Sequence, residues 1–264
     1  MRDAGLEAAE REGDWILEAA TGLDRTRYAA ETQEIEAPAQ VRAFELAARR
    51  AGGEPLQYVT GVAGFRRLEL AVGPGVFIPR PETEGVAGRV IEKLPENGIA
   101  VEIGTGSGAI ALAIADERRD ARVYATERSP EALIWAIRNR DGLGLDVEMV
   151  EGDLFEGLPT GIRSEVDIVV SNPPYVPEGF SLPREIREHE PHIALFASDG
   201  GLSIIELLAR EALSWLRPGG LIVLEIGEAQ RDAVSRLLRA EGYTAIEVRL
   251  DPAGRERVAE GRAP

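Results

Sequence analysis

Two short segments carry residue types able to hold a cofactor and a reacting group. The first is Glu102-Ile103-Gly104-Thr105-Gly106-Ser107-Gly108, followed by the apolar run Ala109 to Ala115. An apolar strand that enters glycines and then a helix lets backbone approach a ligand closely, and the helix-start amides can meet a carboxylate or a phosphate. Read as Gly104, Gly106 and Ala109, the spacing also fits a dinucleotide loop, so nucleotide-type cofactors stay open as a class, beside a plain tight turn. The second segment is Ser171-Asn172-Pro173-Pro174-Tyr175, after the apolar run Val166 to Val170. Two prolines fix two φ angles and remove two N–H donors, so the turn is stiff and presents mainly acceptors. Acceptors suit the NH2 of an amide or a base. Such a nitrogen is a poor nucleophile because its lone pair is conjugated, and a site must hold both hydrogens to aim it. Asn172 Oδ1 and the Pro173 carbonyl can hold them, and Tyr175 offers a flat face to the planar group.

Acidic residues sharpen the first segment. Glu127 stands 23 positions after Gly104, at the end of the next apolar run, where a carboxylate can accept from both ribose hydroxyls of an adenosine. A dinucleotide would satisfy Glu127 equally. Glu102 would instead face a dinucleotide's pyrophosphate, whereas beside the cationic amino-acid end of S-adenosylmethionine its charge is favourable. Asp153 and Leu154 follow the third run and suit an adenine: Asp153 accepts from the exocyclic amine and Leu154 packs on the ring. A helix N-cap followed by core residues is the other reading. His189 and His192 suggest a metal pair, but Pro191 lies between them and no third ligand is evident, so no metal is expected. Arg80 is read either as a pocket residue or as an ion-pair partner at a helix start.

These segments need a sheet to bring them to one edge. Ile99 to Ile103, Val123 to Thr126, Val147 to Val150, Val166 to Val170 and Leu221 to Ile226 read as short strands, most of them separated by helical stretches. That alternation indicates a parallel sheet wrapped on both faces, with ligands at the carboxyl ends of its strands. Tyr243 to Leu250 and Arg257 to Ala259 flank the turn Asp251-Pro252-Ala253-Gly254, which predicts a closing hairpin and one antiparallel strand. Upstream, Trp15, Ile16 and Ala19 share one face of a helix stopping at Gly22. A second helix over 38–51 places Val41, Phe44 and Ala48 at helical spacing before Gly52-Gly53. Leu56 to Val72, broken by Gly61 and Gly64, reads as a two-stranded hairpin. After the turn-rich Gly73 to Pro81, a helix begins with Glu82 and Glu84 and runs to about Leu94. The expected organisation is a helical domain over 1–53, to which the resemblance named below assigns substrate docking, a β-hairpin linker over 54–75 and an α/β domain over 76–264. Trp135 and Trp215 are expected in the core.

Composition narrows the partners. The 264 residues carry 30 Lys plus Arg against 46 Asp plus Glu, a net charge of −16. A broad electrostatic grip on nucleic acid is thereby disfavoured. Glu7, Glu10, Glu12, Glu34 and Glu36 are read as a solvated acidic face, some of which could meet a basic partner. With no cysteine, a disulfide framework, a thiol nucleophile and Cys-ligated metal are excluded. No apolar run reaches the ~20 residues of a membrane span, and the start MRDAGLEAAE lacks the features of an export signal, so a cytoplasmic setting is expected.

Together these segments resemble a family. Glu54 to Gly61, Ile78-Pro79-Arg80-Pro81-Glu82-Thr83-Glu84, Glu102 to Gly108, Asn172 to Tyr175, Glu190-Pro191 and the closing Arg255 to Val258 look like the protein-(glutamine-N5) methyltransferases of the HemK/PrmC type. The resemblance implies a Rossmann-like α/β sheet that uses S-adenosylmethionine, behind a small helical N-terminal domain. It implies methyl transfer to the glutamine of the Gly-Gly-Gln motif in class I peptide chain release factors. By position, Gly104, Thr105, Gly106, Ser107, Gly108, Glu127, Asp153, Leu154 and Asn172 would bind cofactor. Asn172, Pro173, Pro174 and Tyr175 would bind the substrate amide, with Asn172, Pro173 and Tyr175 as the catalytic group. The chain departs from the pattern in a helical domain that begins late and in Leu154, where some members carry an aromatic. Two other substrates fit the same turn: the glutamine of a ribosomal protein, and the N6 amine of adenine in nucleic acid. A binding module that kept the fold without catalysis is the non-enzymatic alternative, and an intact Asn172 to Tyr175 beside an intact glycine loop argues against it.

Overall fold

The computed structural model describes residues 8–23 and 35–264. Helices α1 (Ala9–Thr21) and α2 (Ala37–Ala51) pack against each other and against the short helix α3 (Leu56–Thr60). Gly22 caps α1 in the left-handed region, and α2 carries Pro38 in its first turn. Their shared core is Ile16, Leu46 and Val59. Val41, Phe44 and Ala48 do share a face of α2, but it is exposed, with Phe44 at 76%. The buried face is offset to Leu46 and Arg50, because that is where α1 sits. Trp15 likewise faces out. Glu12 leaves the expected acidic face: Arg50 Nε donates to it at 2.8 Å, and Arg50 also reaches Glu185 at 2.6 Å. Glu7 and Glu34 lie outside the described residues.

Only part of the expected 56–72 hairpin is a hairpin. Leu56–Thr60 is helical because Pro55 precedes it with extended backbone and Gly61 ends it in the left-handed region. The ribbon itself is β1 (Val62–Phe65) paired with β2 (Leu68–Ala71). A single turn of 3-10 helix, Pro81–Thr83, then leads into α4 (Glu84–Lys93).

The remaining strands and the helices of six residues or more are β3 (Ile99–Ile103), α5 (Ala109–Glu117), β4 (Arg122–Glu127), α6 (Pro130–Leu143), β5 (Glu148–Glu151), β6 (Val166–Ser171), β7 (Val176–Pro177), α7 (Arg184–His189), β8 (Phe196–Ala197), α8 (Ser203–Ala212), β9 (Leu216–Glu225), α9 (Arg231–Ala240), β10 (Thr244–Leu250) and β11 (Glu256–Arg262). The seven-stranded sheet has the order β10-β11-β9-β6-β3-β4-β5. All pairs from β9 to β5 are parallel, and β11 runs antiparallel to both of its neighbours. The expected closing hairpin therefore forms, with β11 as the antiparallel strand.

Both faces of the central strands are covered, so β3 and β6 are buried along almost their whole length. Ala100, Ile168, Val170 and Val223 face a layer containing α4 and α5, while Val101, Val169, Ile222 and Leu224 face α8 and α9. Ala109 to Ala115 of α5 are all buried, which explains why this helix carries no polar stripe. Trp215 is in the core, stacked on Phe155. Trp135 is half-buried and donates to the Pro74 carbonyl at 3.3 Å. The strand order reverses beside β3: the chain goes next to β4 on one side and later to β6 on the other. A crevice at the carboxyl ends of β3 and β6 is the expected ligand position in such a sheet.

Candidate active site

The crevice receives the glycine loop from β3 and the Asn-Pro-Pro-Tyr turn from β6. Adjacent strands deliver them, with Glu102 in register with Val170. Ser171 Oγ donates to the Ile103 carbonyl at 2.7 Å and ties the two strand ends together. Gly104, Thr105, Gly106, Ser107, Glu127, Asp153, Leu154 and Asn172 all line this one cleft, as do Pro173, Pro174 and Tyr175. Gly108 does not line it. Its backbone instead closes the turn, with the N–H on the Thr105 carbonyl at 2.8 Å, and starts α5.

The loop is fixed from three sides. Gly104 and Thr105 N–H groups donate to the Thr126 carbonyl. Glu127 accepts the Gly106 N–H on Oε2 at 2.8 Å and the Ser129 N–H on Oε1 at 2.9 Å. Asn139 of α6 donates to the Ser107 carbonyl at 2.9 Å while bonding both backbone groups of Ala71, so the ribbon and the loop share one clamp. Gly104 and Gly106 adopt φ values of +72° and +58°, and a Cβ on either would meet no protein atom within 4 Å. Thr126 Oγ1 donates to the Leu154 carbonyl at 2.7 Å and holds Leu154 at the rim, whereas the Asp153 side chain is exposed and 3.9 Å from Arg128.

Glu102 is buried at the floor. Thr105 Oγ1 and the Ala111 N–H both donate to its Oε2, at 2.5 and 2.8 Å. Desolvation dominates over these bonds and pushes its pKa up to about 8. On the other side Asn172 Nδ2 donates to Thr83 Oγ1 at 3.2 Å, and the Tyr175 hydroxyl donates to Glu225 at 3.1 Å. Arg80 settles as an ion-pair partner: it bonds buried Glu190, which also accepts the Ile78 N–H at 3.2 Å, and its guanidinium lies 4.7 Å from the Phe77 ring centre. The segments Ile78 to Arg80 and Glu190-Pro191, far apart in sequence, thus meet at the cleft wall.

Comparison with known proteins decides what this arrangement is. Residues 1–61 match the PrmC N-terminal domain and residues 69–185 the methyltransferase small domain. The release factor glutamine methyltransferase of Geobacter sulfurreducens is 37% identical over 265 residues, covering 99% of this chain and 92% of that one. The Streptomyces coelicolor enzyme of the same name is 43% identical over 86% of this chain and 82% of its own. The chain belongs to the release factor glutamine methyltransferase family. Solved structures agree on the fold. A Pyrococcus furiosus methyltransferase superimposes with a TM-score of 0.56 at 22% identity, over 74% of this chain and 88% of that one. The Thermus thermophilus 16S rRNA N2 G1207 methyltransferase, solved with AdoMet and guanosine, gives 0.56 at 20% identity, over 77% and 50%.

The cleft of this family member fits S-adenosylmethionine on its own geometry. The open space over Gly104 and Gly106 is what close backbone approach requires, and a carboxylate at the end of β4 meets that space. Sequence reasoning missed Thr83 and Glu225. Glu225 lies inside the expected strand Leu221 to Ile226 and draws no reading of its own there, and Thr83 stands only within the Ile78 to Glu84 motif. A carboxylate inside the otherwise apolar run Leu221 to Ile226 is the signal that could have found Glu225, since a buried charge needs partners.

Proposed function

We propose that this protein methylates the side-chain amide nitrogen of the glutamine in the Gly-Gly-Gln motif of class I peptide chain release factors. The observation that carries this reading is that Asn172 and the Pro173 carbonyl stand just past the end of β6, in the same cleft as the glycine loop that follows β3, so that an NH2 held by one is next to whatever the other binds. Gly104 to Ser107, Glu127, Asp153 and Leu154 would hold S-adenosylmethionine, with Gly108 setting the loop. When bound, the cofactor supplies an electrophilic sulfonium methyl. Asn172 Oδ1 and the Pro173 carbonyl accept the two amide hydrogens and stabilise the positive charge that grows on nitrogen. Tyr175, its ring anchored through its hydroxyl, gives the planar amide a wall. The surplus proton leaves to water, so no strong base is needed.

Glutamine on a glycine-rich loop can enter this stiff turn without unfolding its own protein. An adenine would have to be flipped out of its stack, at a few kcal/mol, by a protein of net charge −16. Residues 1–53 are assigned to docking the release factor and 54–75 to linking. Arg50 supports this, since it bridges Glu12 on α1 to Glu185 on α7, the segment that follows the Asn-Pro-Pro-Tyr turn. No helix among the described residues is long and apolar enough to cross a membrane. A cysteine-free chain suits the cytoplasm, where its proposed substrate works. The test is transfer of labelled methyl to purified release factor, ribosomes and DNA in separate reactions. Label in release factor supports the reading, and label only in ribosomes or DNA overturns it.

A further inference from the structure

Strand β9 ends on Glu225, a carboxylate with no exposed surface behind the Asn-Pro-Pro-Tyr turn. Its Oε2 accepts from Thr83 Oγ1 at 2.6 Å and its Oε1 from the Tyr175 hydroxyl at 3.1 Å. Thr83, itself buried, accepts from Asn172 Nδ2 at 3.2 Å. A threonine hydroxyl has a single hydrogen. Because ionised Glu225 only accepts, that hydrogen points at Glu225 and Thr83 turns a lone pair toward Asn172. The amide is left with one arrangement, nitrogen on Thr83 and oxygen toward the cleft.

We propose that Thr83 and Glu225 are positioning residues that fix the orientation of the Asn172 amide, so that its oxygen rather than its nitrogen meets the substrate N–H. The inference rests on the proposed function, in which Asn172 holds a substrate amide. The same carboxylate sets the tyrosine wall, so one buried group fixes both sides of the turn.

The relay depends on Glu225 staying ionised. Protonated on Oε2, it would donate to Thr83, whose own hydrogen would then turn toward Asn172 and favour the reversed amide. Burial pushes the Glu225 carboxyl up to about 7; donation from Thr83 and Tyr175 opposes this, Glu82 adds to it and Arg257 offsets it. Turnover should therefore fall as pH drops through about 7.

The experiment compares kcat for release factor methylation in the wild type, Thr83→Val, Thr83→Ser and Glu225→Gln across about pH 6 to 9, with calorimetry of S-adenosylhomocysteine binding on each. Thr83→Val and Glu225→Gln are expected to lower kcat about 10-fold or more, with the dissociation constant changed less than about 3-fold. Thr83→Ser, which keeps the hydroxyl, is expected to recover most of the rate, and the acid limb near pH 7 should vanish in Glu225→Gln. The proposal is overturned if Thr83→Val matches the wild type, if Thr83→Ser fails as badly as Thr83→Val, or if kcat and cofactor affinity fall together. A wild type that leaves the release factor unmethylated overturns the proposed function instead, and the relay's purpose with it.

Discussion

Glu127 closes the glycine loop from the neighbouring strand: its Oε2 accepts the Gly106 N–H at 2.8 Å. With Ser129 on the other oxygen, the carboxylate is held by two backbone N–H groups, and Glu127 lines the cleft with acceptor capacity to spare. Glu127→Ala should weaken cofactor binding by roughly 10- to 150-fold, the loss of a charge-assisted acceptor worth about 1.5 to 3 kcal/mol. Calorimetry reads this directly, and an unchanged affinity would remove Glu127 from the site.

Asn172→Ala separates substrate from cofactor. Turnover on the release factor should drop by about 10² to 10³, as for other preorganised polar groups, with S-adenosylhomocysteine affinity nearly retained. Comparable losses in both would make Asn172 chiefly a cofactor ligand.

Glu102 should release a proton when the cofactor binds. Without ligand its carboxyl is raised to about 8, so near pH 7 it is largely protonated. A sulfonium and an ammonium nearby favour the ionised form and lower that value. Calorimetry in two buffers of different ionisation enthalpy should then differ at pH 7 and agree well above pH 8. Buffer-independent heats at pH 7 would mean that Glu102 does not sense the cofactor's charge.

Gly201 is a distant support for the turn. A Cβ there would stand 2.0 Å from the Tyr175 carbonyl oxygen, at a φ of +84°. Relief requires displacing Tyr175 by about 1 Å, a misplacement that can cost ~10² in rate. Gly200→Ala is the control, with φ +68° and open space around its Cβ, so it carries the backbone strain without the clash. Gly201→Ala should lose far more activity than Gly200→Ala, measured as kcat on soluble protein. Equal losses would assign the effect to strain alone.

The core of this site was legible in sequence because its chemistry is local. Five residues of glycine loop and four of the Asn-Pro-Pro-Tyr turn each declare a backbone shape and a donor or acceptor pattern, and the strands before them are apolar runs of the right length. The mostly parallel sheet and the antiparallel β11 followed from alternation and a turn, whereas the strand order did not. What sequence could not supply was any relation set by tertiary contact. Val41 and Phe44 have helical spacing, yet α1 covers the other side of their helix. Leu56 to Thr60 is rich in strand-favouring residues, yet Pro55 and Gly61 delimit a single helical turn there. Thr83 and Glu225 lie 142 positions apart, and only the fold brings them into one hydrogen bond.

The measurement that bears most directly on the central claim is peptide mass mapping of a class I release factor after incubation with the enzyme and S-adenosylmethionine. A single added methyl on the glutamine of the Gly-Gly-Gln peptide, absent when that glutamine is replaced by alanine, is the predicted result. An unmodified Gly-Gly-Gln peptide, with methyl found instead on a ribosomal protein or a nucleic-acid adenine in parallel reactions, would contradict it.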